Sequence, residues 1–274
     1  MTKSPSLVCV HAHPDDEAIF TAGITAHYAN LGFRCVLITC TNGRLGLDAK
    51  GRPGSHPHHD VEGTIATRAA ELQRSARHVG FSRVVNLGYD DSGMVGWIQN
   101  SEPTSFVNAD VEAVATAIAS ILNEESAAVV VTYDENGFYG HPDHIMANRA
   151  TRSALELSQS AERLYYPIVP RGVLEKFTRD AKKQGVYLPA WVLDATPDTP
   201  DEMVATTMDV TAFAARKQEA IALHASQVDN ADLVTMSPEL FTLLFGIEYY
   251  QRAWSRRDTI DDQTDLFGGL EWQI

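Results

Sequence analysis

The chain has 274 residues, 44 % of them hydrophobic, with a net charge of −14 and a pI near 5.0. That length and apolar fraction suit one large α/β domain or two small ones with a sizeable core. The acidic balance argues against a nucleic-acid partner, which needs a clustered basic surface, and no apolar run approaches the roughly 20 residues of a membrane-spanning helix.

Taken in order, residues 7–10 form a short buried strand and 16–31 a helix, followed by a second strand over 34–41 that ends at Thr41-Asn42-Gly43. A polar loop with several glycines and prolines runs to about residue 61. Apolar positions at Ile65, Ala69, Leu72, Ala76 and Val79 then predict a helix over 64–79. Strand 3 is expected over 83–87, a glycine-rich loop over 88–93 and an alanine- and valine-rich helix over 107–122. The uncharged run 127–132 reads as a strand buried on both faces, and a helix over 141–157 and a strand over 164–168 follow. This alternation predicts a Rossmann-like α/β fold, a mostly parallel sheet with helices on both faces.

After Pro170 the pattern loosens. A helix is expected over 174–184, loops at Pro189, Pro197 and Pro200 around Trp191, a short strand over 208–210 and a helix over 213–224. The tail from about residue 241 carries Tyr249, Tyr250 and Trp254. With no Gly-, Ser- or Pro-rich linker and no repeat, the expectation is one domain over 1–274: a core to about residue 170 and a less regular C-terminal extension, 171–274, that completes the site. Cys9, Cys35 and Cys40 lie in or beside buried strands without a CxxC pair, and no signal-peptide pattern is present. Reduced, structural thiols in the cytoplasm are expected.

The stretch HAHPDDEAIFTAG, residues 11–23, puts His13, Asp15 and Asp16 at the carboxyl end of strand 1, where open α/β sheets bind ligands. Proline followed by acids is also ordinary helix-start chemistry. The segment Tyr133 to His144 repeats the arrangement after strand 4, so HPDD at 13–16 matches HPDH at 141–144. In the doubly wound order strands 1 and 4 are neighbours at the switch point, which predicts that the two motifs face each other. Two coincident helix caps would explain the acids but not the histidines. Catalytic zinc takes three His or Asp/Glu ligands and keeps an open position, and a His-x-x-Asp pair plus a distant His supplies such a set. A spare aspartate can then act as general base, and a spare histidine as general acid or oxyanion stabiliser. Iron(II) would suit the same donors almost as well.

The pair AHPDDE at 12–17 and GHPDH at 140–144 resembles the LmbE/PIG-L family of zinc-dependent N-deacetylases, in particular the branch with the mycothiol-pathway deacetylase and the mycothiol conjugate amidase. The resemblance implies one Zn²⁺ per chain on His13, Asp16 and His144, with Asp15 as general base. It implies His141 as oxyanion stabiliser or acid, Asp143 as its neighbour, and Tyr139 as a further participant. TRAAEL at 67–72 and DSGM at 91–94 imply sugar contacts from Arg68 and Asp91, and LHASQ at 223–227 offers His224 near the site. Read alone, Arg68 is a solvated helix charge and His224 a core or capping histidine.

The expected activity is removal of an acetyl group from an N-acetylglucosamine-type small molecule. The alternatives are an amidase for a larger acyl group, such as a mycothiol conjugate, a deacetylase of a secondary-metabolite amino sugar, and a non-catalytic nucleotide- or sugar-binding module. The last should carry GxGxxG after strand 1, where His and Asp stand instead. HPHHD at 56–60 offers a second metal site or a mobile exposed loop, Glu17 supports the helix start or bonds a neighbouring site residue, and His11 stands behind the ligands. The sequence is compatible with a homo-oligomer.

Overall fold

The computed structural model describes residues 5–184, 199–257 and 262–270; Pro189, Trp191 and Pro197 lie outside them. Five parallel strands form the body of one sheet: β1 (Ser6–His11), β2 (Arg34–Thr41), β3 (Arg83–Tyr89), β4 (Ala127–Val131) and β5 (Arg163–Ile168). Two more, β6 (Thr206–Asp209) and β7 (Ile247–Ser255), complete the order β3-β2-β1-β4-β5-β7-β6. β7 runs antiparallel to both β5 and β6. The order reverses between β1 and β4, so the carboxyl ends of these two strands open the crevice where the paired motifs sit.

Every residue of β1 and β4 is buried, as central parallel strands require. Successive residues feed opposite cores: Leu7 and Cys9 of β1 with Cys35 and Leu37 of β2 on one face, Val8 and Val10 with Val36 and Ile38 on the other. The first face is covered by α1 (Ala22–Asn30), α2 (Val61–Val79) and the C-terminal helix α7 (Ala214–Ala222), the second by α3 (Val111–Glu125) and α5 (Pro142–Leu157). Between them in sequence lie a single turn, α4 (Gly137–Gly140), and α6 (Arg171–Gln184). None of the helices among the described residues is long and apolar enough to cross a membrane.

Three elements differ from the expected pattern. The helix expected from residue 107 begins at Val111, because Asp110 accepts the Glu112 N–H and caps it there, while Phe106–Asn108 forms a tight turn that buries Phe106. The first helix opens as a π turn, Glu17–Thr21, before α1 takes over. The aromatic tail is strand β7, whose mixed polar sequence carried no clear alternation and whose place is decided by pairing with β5. Glu248 on β7 is buried, and it accepts hydrogen bonds from the Gly23 and Ile24 N–H groups at the start of α1, from Lys217 and from Tyr250. A Cβ at Gly23 would stand 2.4 Å from the Glu248 carboxylate, so the close approach requires glycine.

At the amino end of the sheet, Glu125 gathers Arg34 and Arg83, the latter at 2.6 Å. Hydrogen bonds from Arg34 and Arg83 outweigh burial and hold the Glu125 carboxyl down to about 2. Its folded value lies below an unfolded value near 4.3, so its contribution is complete above that value and is lost as pH falls through about 2. Glu125→Gln should therefore cost about 1–2 kcal/mol in urea unfolding at pH 7. The difference from wild type should shrink between about pH 4.5 and pH 2.

Candidate metal centre

His13 leaves the end of β1 and points across the switch point to His144, which α5 presents after β4. Asp16 turns back beneath them, its Oδ2 accepting the His13 N–H at 2.8 Å and the Tyr133 hydroxyl at 2.6 Å. Three atoms then face one another: His13 Nδ1 and His144 Nε2 at 3.3 Å, His13 Nδ1 and Asp16 Oδ2 at 3.3 Å, and His144 Nε2 and Asp16 Oδ2 at 3.6 Å. Three corners of a tetrahedron with metal–ligand bonds of about 2.0–2.1 Å lie about 3.3–3.4 Å apart. All three side chains are at least nine-tenths buried.

The hydrogen bonds behind the histidines set their tautomers. His13 Nε2 meets Asp143 Oδ2 at 3.2 Å and His144 Nδ1 meets the Gly137 carbonyl at 3.1 Å. Each outer nitrogen thus carries its proton towards an acceptor and leaves the inner lone pair bare, the arrangement that orients metal-ligating imidazoles. Two lone pairs and a carboxylate converging at this distance call for a cation. Burial opposes a proton on His13, while Asp91, Asp143 and Asp16 together raise its pKa well above the ordinary value, a measure of how strongly this spot draws positive charge.

His141 also stands within 4.8 Å of the histidine pair and, by proximity alone, is an equal candidate for ligation. Its hydrogen bonding argues otherwise. As the N-cap of α5, its Nδ1 accepts the Asp143 N–H at 3.1 Å, which puts the proton on Nε2 and makes that nitrogen a donor. Burial and the neighbouring histidines push its pKa down to about 3, so the ring is neutral. Asp143 is saturated by His13 and by the N–H and hydroxyl of Ser92.

Asp15 occupies a backbone conformation with φ of 127°, a region L-residues rarely adopt and one that costs about 1–3 kcal/mol. Arg68 Nη2 lies 3.2 Å from its carboxylate and donates to the Pro14 carbonyl at 2.5 Å, while Nη1 donates to the Gly43 carbonyl at 3.0 Å. Burial raises the Asp15 carboxyl to about 6 against the pull of Arg68, a value suited to a base near neutrality. Arg68 is buried rather than solvated and is committed to this loop. Asp91 Oδ1 accepts the Gly93 N–H and stands 3.7 Å from His13 Nε2. Tyr139 is 56 % exposed at the mouth, its ring 5.0 Å from that of His144.

His224, just beyond α7, is fully enclosed and bonds Glu17 Oε1 at 2.7 Å. The segment 224–227 braces the site from below: Ser226 donates to Glu71 through N–H and hydroxyl, and Gln227 accepts the Leu47 N–H of the long loop. His11 bonds Thr21 at 2.9 Å and packs edge-on against Tyr133, outside the donor triangle. At 56–60 the histidines are not gathered. His59 meets the Arg52 and Arg44 carbonyls, His56 and His58 are exposed, and every metal-competent group among the described residues includes His13.

Two contributors were not singled out from the sequence. Tyr133 accepts the Ala12 N–H, donates to Asp16 and stacks on His144 with ring centres 3.9 Å apart. A tyrosine at the end of a buried strand needs a partner for its hydroxyl, and that was the available signal. Ser92 is fixed only by the fold, since nothing local distinguishes it from any loop serine.

Comparison with known proteins adds to this geometry. A family model described as PIG-L, GlcNAc-PI de-N-acetylase, matches residues 8–155, which include both motifs. The chain is 37 % identical over 295 residues to a 1D-myo-inositol 2-acetamido-2-deoxy-alpha-D-glucopyranoside deacetylase of Geodermatophilus obscurus, covering 98 % of this chain and 99 % of that protein. In fold it is similar to an N,N'-diacetylchitobiose deacetylase from Pyrococcus horikoshii, with a TM-score of 0.57, 19 % identity, and 91 % and 82 % of the two chains covered. A 4-carboxy-2-hydroxymuconate hydratase from Pseudomonas putida is equally similar in fold, with a TM-score of 0.57, 15 % identity and 93 % and 98 % covered. The fold by itself therefore does not choose the reaction.

Proposed function

The chain belongs to the PIG-L family, and on that premise we propose that it is a zinc-dependent amidohydrolase that removes the acetyl group from an N-acetylglucosamine-type sugar. The observation that carries the reading is the donor triangle of His13, Asp16 and His144 with edges of 3.3–3.6 Å, flanked by Asp15 and His141. Zinc held there would supply Lewis acidity, drawing the pKa of a water towards about 7 and polarising the amide carbonyl.

The remaining steps belong to the chain. Asp15 takes the proton of the attacking water, and its raised pKa suits it to return that proton to the departing amine. The neutral His141 directs its Nε2–H at the oxyanion as the carbonyl carbon becomes tetrahedral. Asp143 orients His13 and is held in turn by Ser92. Asp91 accepts sugar hydroxyls, Arg68 holds the Pro14 carbonyl and the Asp15 carboxylate in place, and Tyr139 covers the mouth. The buried, free thiols of Cys9, Cys35 and Cys40 support a reducing, cytoplasmic setting.

The substrate class follows from the relatives that act on an N-acetylglucosaminyl inositol. Zinc-loaded protein should release acetate and free amine from that glycoside with a kcat/KM at least about tenfold above that for free N-acetylglucosamine, since contacts to the inositol add binding in the transition state. Release from larger acyl amides in preference to acetyl would redirect the reading to an amidase, and release from none of them would overturn it.

A further inference from the structure

The Pro14–Asp15 peptide is gripped from both ends. Arg68 donates to its carbonyl, and its N–H donates to Glu17 Oε2 at 3.0 Å. Glu17 has no exposed surface, and its other oxygen takes the Ser75 hydroxyl at 2.6 Å and His224 Nε2 at 2.7 Å. A carboxylate this deep, beside the donor triangle yet turned away from it, is not explained by support for a helix start. An isolated helix start would leave it in solvent.

Resting on the reading of Asp15 as the base, we propose that Glu17 and His224 are positioning residues: a buried Glu–His pair that holds the Asp15 backbone in its φ of 127° and so aims the carboxylate at the water. The conformation is one an L-residue leaves unless the surrounding structure over-determines it. Turning the Asp15 peptide to relax φ would carry its N–H away from Glu17 and the Pro14 carbonyl away from Arg68. A carboxylate has two acceptor oxygens for the Asp15 N–H on one side and for Ser75 and His224 on the other, whereas an amide has one. Ser75 lies on α2 and His224 follows α7, so both elements are tied to the base through the Glu17 side chain. His224 accordingly acts through Glu17 rather than on the sugar.

The test compares Glu17→Gln, His224→Gln, His224→Ala and the Glu17→Gln/His224→Ala double variant as zinc-loaded proteins. Zinc stoichiometry should stay at the wild-type value in all four. For acetate release, Glu17→Gln should lower kcat by about 10- to 100-fold with KM within about twofold, the signature of a misaimed group rather than a lost substrate contact. His224→Gln, which keeps a donor for Glu17, should retain more kcat than His224→Ala, and the double variant should be no worse than Glu17→Gln alone. Amide hydrogen exchange at Asp15 should quicken by at least about tenfold in Glu17→Gln. Unchanged kcat and unchanged Asp15 exchange in Glu17→Gln would overturn the proposal. So would a His224→Ala loss that falls on KM and adds independently to that of Glu17→Gln, because His224 would then touch substrate. If wild-type protein hydrolyses no amide, the deacetylase reading fails by itself, and the exchange of the Asp15 amide still decides whether the pair holds the backbone.

Discussion

Asp15→Asn should keep a full complement of zinc and lose about 10²- to 10⁴-fold in kcat, the range for removal of a positioned general base. Asp15 is not a corner of the donor triangle, so metal content checked by elemental analysis should not change. The companion variant Asp15→Gly separates the two properties of this position. Glycine adopts φ of 127° without steric cost, so relief of strain should raise the melting temperature even as turnover collapses to the same level. The strain relieved is about 1–3 kcal/mol, from which the lost contact with Arg68 and the roughly 0.5–1 kcal/mol of extra chain entropy of glycine are subtracted, and the net gain is read by calorimetry. Near wild-type turnover in zinc-loaded Asp15→Asn would mean that another group takes the water's proton.

Asp16→Asn should weaken zinc binding by more than about 100-fold, since removal of a ligand exceeds the 10- to 100-fold typical of residues behind the ligands. The asparagine oxygen can still accept from Tyr133 and the His13 N–H, so the fold should persist and circular dichroism should match wild type. Asp143→Asn, which disturbs only the partner of His13 Nε2, should fall in the milder range. His141→Ala should leave affinity close to wild type while lowering kcat, because its inner nitrogen is a donor. Chelator competition across the three variants decides the ligand set. If His141→Ala lost zinc and Asp16→Asn kept it, the ligands would be the three histidines.

Much of the site was legible because its chemistry is concentrated in two short turns. His13, Asp15 and Asp16 stand within four residues, as do His141, Asp143 and His144, and the strand order that joins them is a general property of doubly wound sheets. The residues around them were less legible in proportion to their distance from a motif. Arg68 was expected near the sugar and is found bonded to the backbone beside Asp15, a contact that depends on where α2 crosses the first turn. His224 was expected near substrate and is found behind Glu17. Neither placement has a local signal, since an arginine on a helix and a histidine after one look the same whether they face solvent, sugar or another side chain.

Periodicity and composition determined the alternation of strands and helices, the all-buried central strands and the pairing of the two HPD turns, because hydrophobic period and strand-end chemistry are written over a few adjacent residues. The motif residues determined a donor set of the right types. Only the tertiary structure decided which nitrogen of each histidine is free. That depends on Gly137 behind His144, Asp143 behind His13 and the Asp143 N–H against His141, and such contacts bridge up to 130 residues. It also decided that the tail from Ile247 is a strand, and that Glu17, for which helix support and a bond to a site residue were both open, faces inward to the Asp15 N–H and His224. The physical reason is that a strongly periodic element is set by neighbours along the chain, whereas a weakly patterned one such as β7, and the direction of a buried side chain, are set by the packing around it.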